Sequence, residues 1–159
     1  MEQFLFNQLA FVRGQTLKLM DGVTEEMADR IPEGFRNTIR WNLGHIYVVL
    51  ERISFQYLGL PQHLPEGFKE QFENGTSPLD ATASYRVPTL LELETLLKEQ
   101  QARIHDTLAH RLHEKVIPPY TTSAGMTLET PEQFLSFNLY HEGMHLTVIR
   151  MYKNLLSRS

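Results

Sequence analysis

A threonine and a proline, Thr130-Pro131, followed by Glu132-Gln133, mark the start of a helix: an N-cap, a proline at the first helical position and a capping-box glutamine. From there Phe134, Phe137, His141, His145, Val148, Tyr152 and Leu155 fall within about 40° of one line at about 100° per residue. Both histidines of Tyr140-His141-Glu142-Gly143-Met144-His145-Leu146 are therefore expected to point into the core that this helix covers. Residues four apart on a helix are neighbours, with Cβ atoms roughly 5–6 Å apart. Whatever packs against this helix has to accommodate two adjacent imidazoles.

Side by side, the two rings bring up to four nitrogens into an apolar layer, which is costly unless each finds a partner. Neutral core histidines bonded to neighbours would meet that demand, and so would one divalent ion, which takes two of the nitrogens at once. The stretch also matches H-E-x-x-H, the helix of zinc proteases in which the glutamate is the general base. Such enzymes generally take a third ligand downstream, yet after His145 the chain has only Leu, Thr, Val, Ile, Arg, Met, Tyr, Lys, Asn and Ser. Glu142, about 100° round from His141, is expected near the edge of the core face, and no strand is evident to hold an extended peptide. The protease reading is set aside on these grounds.

Three more long helices are written with the same period. Leu5, Leu9, Val12, Thr16 and Leu19 form the first apolar line, which ends at Asp21-Gly22. Thr24 opens a short polar connector, Glu25-Glu26-Met27-Ala28-Asp29-Arg30, closed by Pro32 and Gly34. The second long helix is expected over residues 38–58, with Ile39, Leu43, Ile46, Leu50, Ile53 and Tyr57 as its main stripe. Trp41, Val48, Val49 and Phe55 make much of its other side apolar, so it is central in a bundle or covered by a second subunit. Residues 59–88 read as a long crossover with one helical turn at Phe68-Lys69-Glu70-Gln71-Phe72. Thr89-Leu90-Leu91-Glu92 is a capping box for the third helix, whose core face is Leu90, Leu93, Leu97, Ile104 and Leu108. No sustained strand-like alternation and no internal repeat occur. The expected fold class is all-α, a four-helix bundle with long crossover connections, in a single domain spanning residues 1–159.

Charge and cysteine content narrow the chemistry. Fifteen Lys and Arg against 19 Asp and Glu leave no basic surplus for nucleic acid or an anionic membrane. The chain has no cysteine, so metal ligands must be His, Asp or Glu, and any thiol in a reaction must be exogenous. Met1-Glu2-Gln3-Phe4-Leu5-Phe6-Asn7-Gln8 lacks the pattern of a signal peptide, and no apolar run reaches the roughly 20 residues of a membrane span, so the expected location is the cytoplasm.

A third ligand would come from upstream, from His45, His63, His105, His110, His113 or the carboxylates. His105, His110 and His113 lie on or after the polar side of the third helix, and His63 sits in a loop beside Pro61, so all four are expected at the surface. His45 is favoured, although it lies about a third of a turn off the main stripe of its helix.

The run Asn37-Thr38-Ile39-Arg40-Trp41-Asn42-Leu43-Gly44-His45-Ile46 resembles the second helix of the DinB/YfiT-like metalloenzymes. Phe68 to Pro78 is similar to that family's crossover segment, and Asn138-Leu139-Tyr140-His141-Glu142-Gly143-Met144-His145 resembles its last core helix. Leu146-Thr147 departs from the Gly-Gln pair that many members carry there. The resemblance implies a divalent metal bound by His45, His141 and His145, with zinc or nickel first and iron or manganese next. It further implies a small-molecule thiol turned into a nucleophile against an electrophilic substrate, as in thiol S-transferases. Three imidazoles leave an open coordination position, which would equally serve a hydrolase using metal-bound water or a non-catalytic metal-binding, stress-related bundle. The apolar back of the second helix adds the expectation of a homodimer.

Overall fold

The computed structural model describes residues 2–80 and 85–157. Among them the helices run in the order α1 Glu2–Leu19, α2 Glu25–Asp29, α3 Ile39–Ser54, α4 Phe68–Phe72, α5 Leu90–Leu108 and α6 Pro131–Leu156. α1, α3, α5 and α6 form the expected four-helix bundle. α1 packs on α5 and α6, and α3 packs on the same two, so α1 and α3 stand on one diagonal of the bundle and α5 and α6 on the other. No helix of the described residues is long and apolar enough to cross a membrane.

Threonine side chains start four of the helices. Thr24, Thr38, Thr89 and Thr130 each accept a hydrogen bond from the backbone three residues on, satisfying a donor that has no partner inside the helix. At Thr89 the box closes in both directions, because the Glu92 carboxylate accepts from the Thr89 amide at 2.7 Å. At α6 it does not: the Gln133 amide oxygen accepts from the Glu129 N–H at 2.7 Å instead of from Thr130.

Two further differences from the expected elements have local causes. α3 ends at Ser54, not near 58, because Phe55 leaves helical geometry (φ −126°, ψ −50°) and the chain continues as a 3-10 turn over Gln56–Leu58. A two-residue hairpin, β1 Tyr120–Thr121 against β2 Thr127–Leu128, lies between α5 and α6. Its loop is closed by Thr122, which bonds Met126 through backbone and hydroxyl, and by Gly125 at φ +87°. Strands this short carry no alternation to read.

Every residue of α3 except Arg52 is buried. Its apolar back is covered within the chain, by α4 and α2 on the sides that α5 and α6 leave open. α3 therefore gives no exposed helical face of the kind the homodimer expectation assumed.

The core divides into two apolar clusters. One gathers Leu5, Phe6, Leu9, Leu50, Ile53, Ile104, Leu108, Phe134 and Leu135. The other gathers Met20, Ile39, Leu43, Ile46, Leu93, Leu97, Ile149, Tyr152 and Leu156. Between them along α1, α5 and α6 lie buried polar residues: Arg13 and Thr16, Gln100, and Asn138 with His141 and Glu142. A polar belt thus crosses the middle of the bundle.

α4 reaches α3 through a close approach at Gly44. A Cβ built on Gly44 would lie 2.5 Å from the Phe72 ring, and Phe72 is itself buried. Only glycine lets the crossover dock at this distance. Gly44→Ala is expected to destabilise the fold by about 1–3 kcal/mol through overpacking. Gly14→Ala, in mid-α1 where nothing lies within 4 Å of the new methyl, should instead be stabilising by about 0.5–1 kcal/mol. Denaturant titration of the two variants checks both signs.

Candidate metal centre

The three expected histidines come together. His45 from α3 and His141 and His145 from α6 each offer one ring nitrogen, and these atoms lie within 4.8 Å of one another. His45 and His141 are buried and His145 is half-buried. The four other histidines, His63, His105, His110 and His113, are exposed and outside the cluster.

Two of the tautomers follow from their partners. His45 Nδ1 lies 2.6 Å from the Phe72 carbonyl, which can only accept, so Nδ1 carries the proton and Nε2 presents its lone pair. His145 Nδ1 lies 2.8 Å from Asn42 Oδ1. The Asn42 amide nitrogen is already committed to the Thr38 carbonyl at 2.8 Å, so its oxygen faces the imidazole and His145 Nε2 is likewise unprotonated. Orienting partners of this kind are what metal-ligating histidines require. The indole of Trp41 lies over the His45 ring at 4.6 Å and 12°, and is fixed by a 2.9 Å bond from Nε1 to Thr76.

His141 differs from the other two. Its Nε2 stands 3.3 Å from His45 Nε2, while its Nδ1 is buried without a hydrogen-bond partner. Two nitrogens each bound at about 2.0–2.1 Å to one tetrahedral ion stand about 3.3 Å apart. The donor set fits a divalent metal: two lone pairs fixed by their outer partners, and a third ring at the separation that a shared ion needs.

All three histidines have lowered pKa values. Burial is the main cause for each, and proximity to the other rings adds to it for His141 and His145. His141 is pushed down to about 3 and His145 to about 4. His45 is also lowered, with the bond to Phe72 opposing the shift. Neutral imidazoles are the ligating form.

Glu142 is not at the edge of the core face, as its angle suggested, but 1% exposed. Burial raises its pKa, yet the Arg13 guanidinium and the bonds from Thr16 and Asn138 bring it below the usual value. Arg13 grips both carboxylate oxygens at 2.8 and 3.1 Å, Thr16 donates to Oε1 at 2.9 Å and Asn138 to Oε2 at 3.2 Å. A carboxylate held by four donors from α1 and α6 is not a base facing the histidines, which removes the H-E-x-x-H protease reading on structural grounds. The face of α6 is rotated accordingly. Leu135, Asn138, Glu142, Ile149 and Leu156 are buried, while Leu155, placed on the core line from the sequence, is 45% exposed.

Sequence reading missed Arg13, Asn42 and the Phe72 carbonyl. Arg13 could have been found, since it continues the spacing Leu5, Leu9, Arg13 and lies three residues before Thr16. Asn42, one helical turn before His45, carried a weaker signal. The carbonyl of Phe72 carried none.

Residues 8–149 match the DinB superfamily. The chain belongs to the DinB superfamily. A crystal structure described as the conserved protein of locus from Enterococcus faecalis superposes on this DinB protein with a TM-score of 0.70 at 14% identity, over 99% of this chain and 97% of that one. At that identity the likeness concerns the fold. Comparison with curated proteins gives no match. Family and bundle agree with what the sequence motifs implied.

The lowered histidine pKa values set the pH behaviour of the metal-free DinB fold. In the unfolded chain each imidazole takes a proton near 6.5, but in the fold His145 and His141 do so only near 4 and 3. Their contribution to stability is complete above the unfolded value and is lost as pH falls through the folded values. In chelator, the melting temperature should decline from about pH 6.5 downward. A variant with His141 and His145 both replaced by Gln should show a flatter decline over the same range.

Proposed function

We propose that His45, His141 and His145 hold one divalent metal ion and that the protein is a metal-dependent enzyme using an exogenous low-molecular-weight thiol against an electrophile. The observation that carries this reading is the pair of fixed tautomers, which leaves Nε2 of His45 and of His145 unprotonated beside His141. When bound, the ion supplies Lewis acidity, which lowers the pKa of a coordinated thiol or water. Three protein ligands leave it an open position.

The chain's own residues do the rest of the work. Phe72 and Asn42 hold the two rings in orientation and keep their outer protons on Nδ1. Trp41 covers one face of His45 and keeps water from it. His145, the half-buried member, marks the side from which a small molecule reaches the centre. The absence of cysteine means that the nucleophilic sulfur arrives with the substrate.

Zinc or nickel is the ion of this reading, since imidazole suits both, as it does iron; manganese, which prefers oxygen ligands, is the weakest alternative. A hydrolase using water in place of the thiol is the second reading, favoured by the same open ligand set. A non-catalytic, stress-related metal-binding bundle is the third. In this reading the chain is one cytoplasmic domain that works as a homodimer. With α3 covered, the candidate contact is the face of α1 and α6 that exposes Phe4, Phe11, Tyr140 and Met144.

Single replacement of His45, His141 or His145 by Ala should remove bound metal, read by elemental analysis after dialysis, without loss of helical circular dichroism. Full metal content in the His45 variant would remove it from the ligand set. Consumption of an electrophile that requires both metal and added thiol supports the transferase reading. Metal-dependent turnover without thiol selects the hydrolase, and no metal-dependent turnover of either kind selects the binding protein. For the assembly, light scattering at high micromolar concentration should give twice the chain mass, and Phe11→Glu should return it to the monomer value.

A further inference from the structure

On its outer side His45 is held by one hydrogen bond, from Nδ1 to the Phe72 carbonyl at 2.6 Å. The χ2 torsion of histidine is broad, so a single bond leaves the ring able to swing about that contact. What fixes its plane is Trp41, four residues earlier on the same face of α3. The indole lies on the imidazole with ring centres 4.6 Å apart and planes 12° from parallel. One bond and one flat contact together define where Nε2 points.

The indole has a broad χ2 of its own and is pinned in turn. Trp41 Nε1 donates to Thr76 Oγ1 at 2.9 Å, and the Thr76 hydroxyl donates to the Gln71 and Glu73 carbonyls, both at 2.8 Å. Those two residues stand on either side of Phe72, whose carbonyl holds His45. The Thr76 amide also donates to the Glu73 carbonyl at 3.1 Å, and the Glu73 carboxylate pairs with Arg52 on α3. Residues 71–76 therefore deliver both supports of His45 as one short hydrogen-bonded piece: the acceptor for its Nδ1 and the anchor of its stacking partner.

We propose that Thr76 is a positioning residue of the three-histidine centre, acting through Trp41 to hold the indole flat on His45 so that His45 Nε2 stays aimed at the site shared with His141 and His145. This rests on the reading of the histidines as a metal site and adds a residue on which the grip of that site depends. Thr76 touches neither the ion nor a substrate. A purely structural Thr76 would satisfy a buried indole N–H and close a turn, and its loss would lower stability without a specific effect on the histidines.

Three substitutions separate these roles. Thr76→Val keeps the shape and removes the hydroxyl, Thr76→Ser keeps the hydroxyl, and Trp41→Phe keeps a ring that needs no acceptor. Zinc is the probe, with its dissociation constant read by competition with a chromogenic chelator. Thr76→Val should weaken zinc about tenfold, as loss of an outer support of a metal-ligating histidine does, and Thr76→Ser should stay near the native value. In the Trp41→Phe background Thr76→Val should cost no further affinity, because the interaction it removes is already absent. In metal-free protein the ring-proton resonances of His45, identified by their loss in His45→Gln, should lose the displacement caused by the stacked indole in Thr76→Val and keep it in Thr76→Ser. Where the native protein binds zinc, an unchanged affinity in Thr76→Val, equal losses in the valine and serine variants, or an equal loss with and without Trp41 would each overturn the proposal, whatever the melting temperature does. His45 signals unmoved in Thr76→Val would overturn it with or without zinc. Absence of zinc binding in the native protein, with the His45 signals moved in Thr76→Val and kept in Thr76→Ser, would overturn the metal reading and leave Thr76 as the residue that orients His45.

Discussion

The bundle is organised around a buried charge pair that it has to satisfy. Arg13 and Glu142 are both about 2% exposed in their side chains, and they meet at the middle of the molecule. Two ions out of water cost several kcal/mol each unless geometry and further bonds offset it, and here they are offset from every side. Arg13 also donates to the Leu97 carbonyl at 2.7 Å and to Gln100 at 3.3 Å, which binds α5 into the set. Gln100 in turn donates to the Tyr47 carbonyl and to Glu51 on α3, and Arg103 closes on Glu51. All four long helices are therefore tied through one hydrogen-bonded belt. A shift of α6 by one turn would strand two buried charges, so the belt fixes the register at which His141 and His145 face His45.

This arrangement explains why two histidines on one helix face different neighbours from the glutamate between them. Glu142 is turned to α1 by Arg13, and that rotation carries His141 and His145 toward α3. The glutamate of the H-E-x-x-H pattern thus serves as the anchor of the helix, and the gathering of the three histidines is a consequence of where the anchor holds it. Removing its charge would leave Arg13 buried and unpaired, which is a fault of folding before it is a fault of chemistry.

Much of the fold was legible because it depends on local signals. Threonine caps, the helical period and the proline at Pro131 fix where helices begin, and their apolar lines fix that they pack as a bundle. The three-histidine set was legible for a different reason: His141 and His145 report their own proximity through spacing, and His45 was reached by exclusion of exposed candidates and by family resemblance. What stayed hidden is long-range. The orientation of α6 depends on Arg13, which lies 129 residues away, and a residue line drawn from hydropathy alone counts Leu155 as core and Glu142 as edge.

The acceptor that orients His45 is a main-chain carbonyl, delivered by the crossover where Phe72 packs on Gly44. No side-chain substitution at position 72 can delete that oxygen; substitution can only move it. Lineages that drift in sequence through this segment would keep the proton on Nδ1 of His45 as long as the volumes at 44 and 72 stay complementary, glycine against a large ring. Divergence at this point is constrained by shape and not by polarity, so the pair can be recognised as coupled even where neither residue looks chemical.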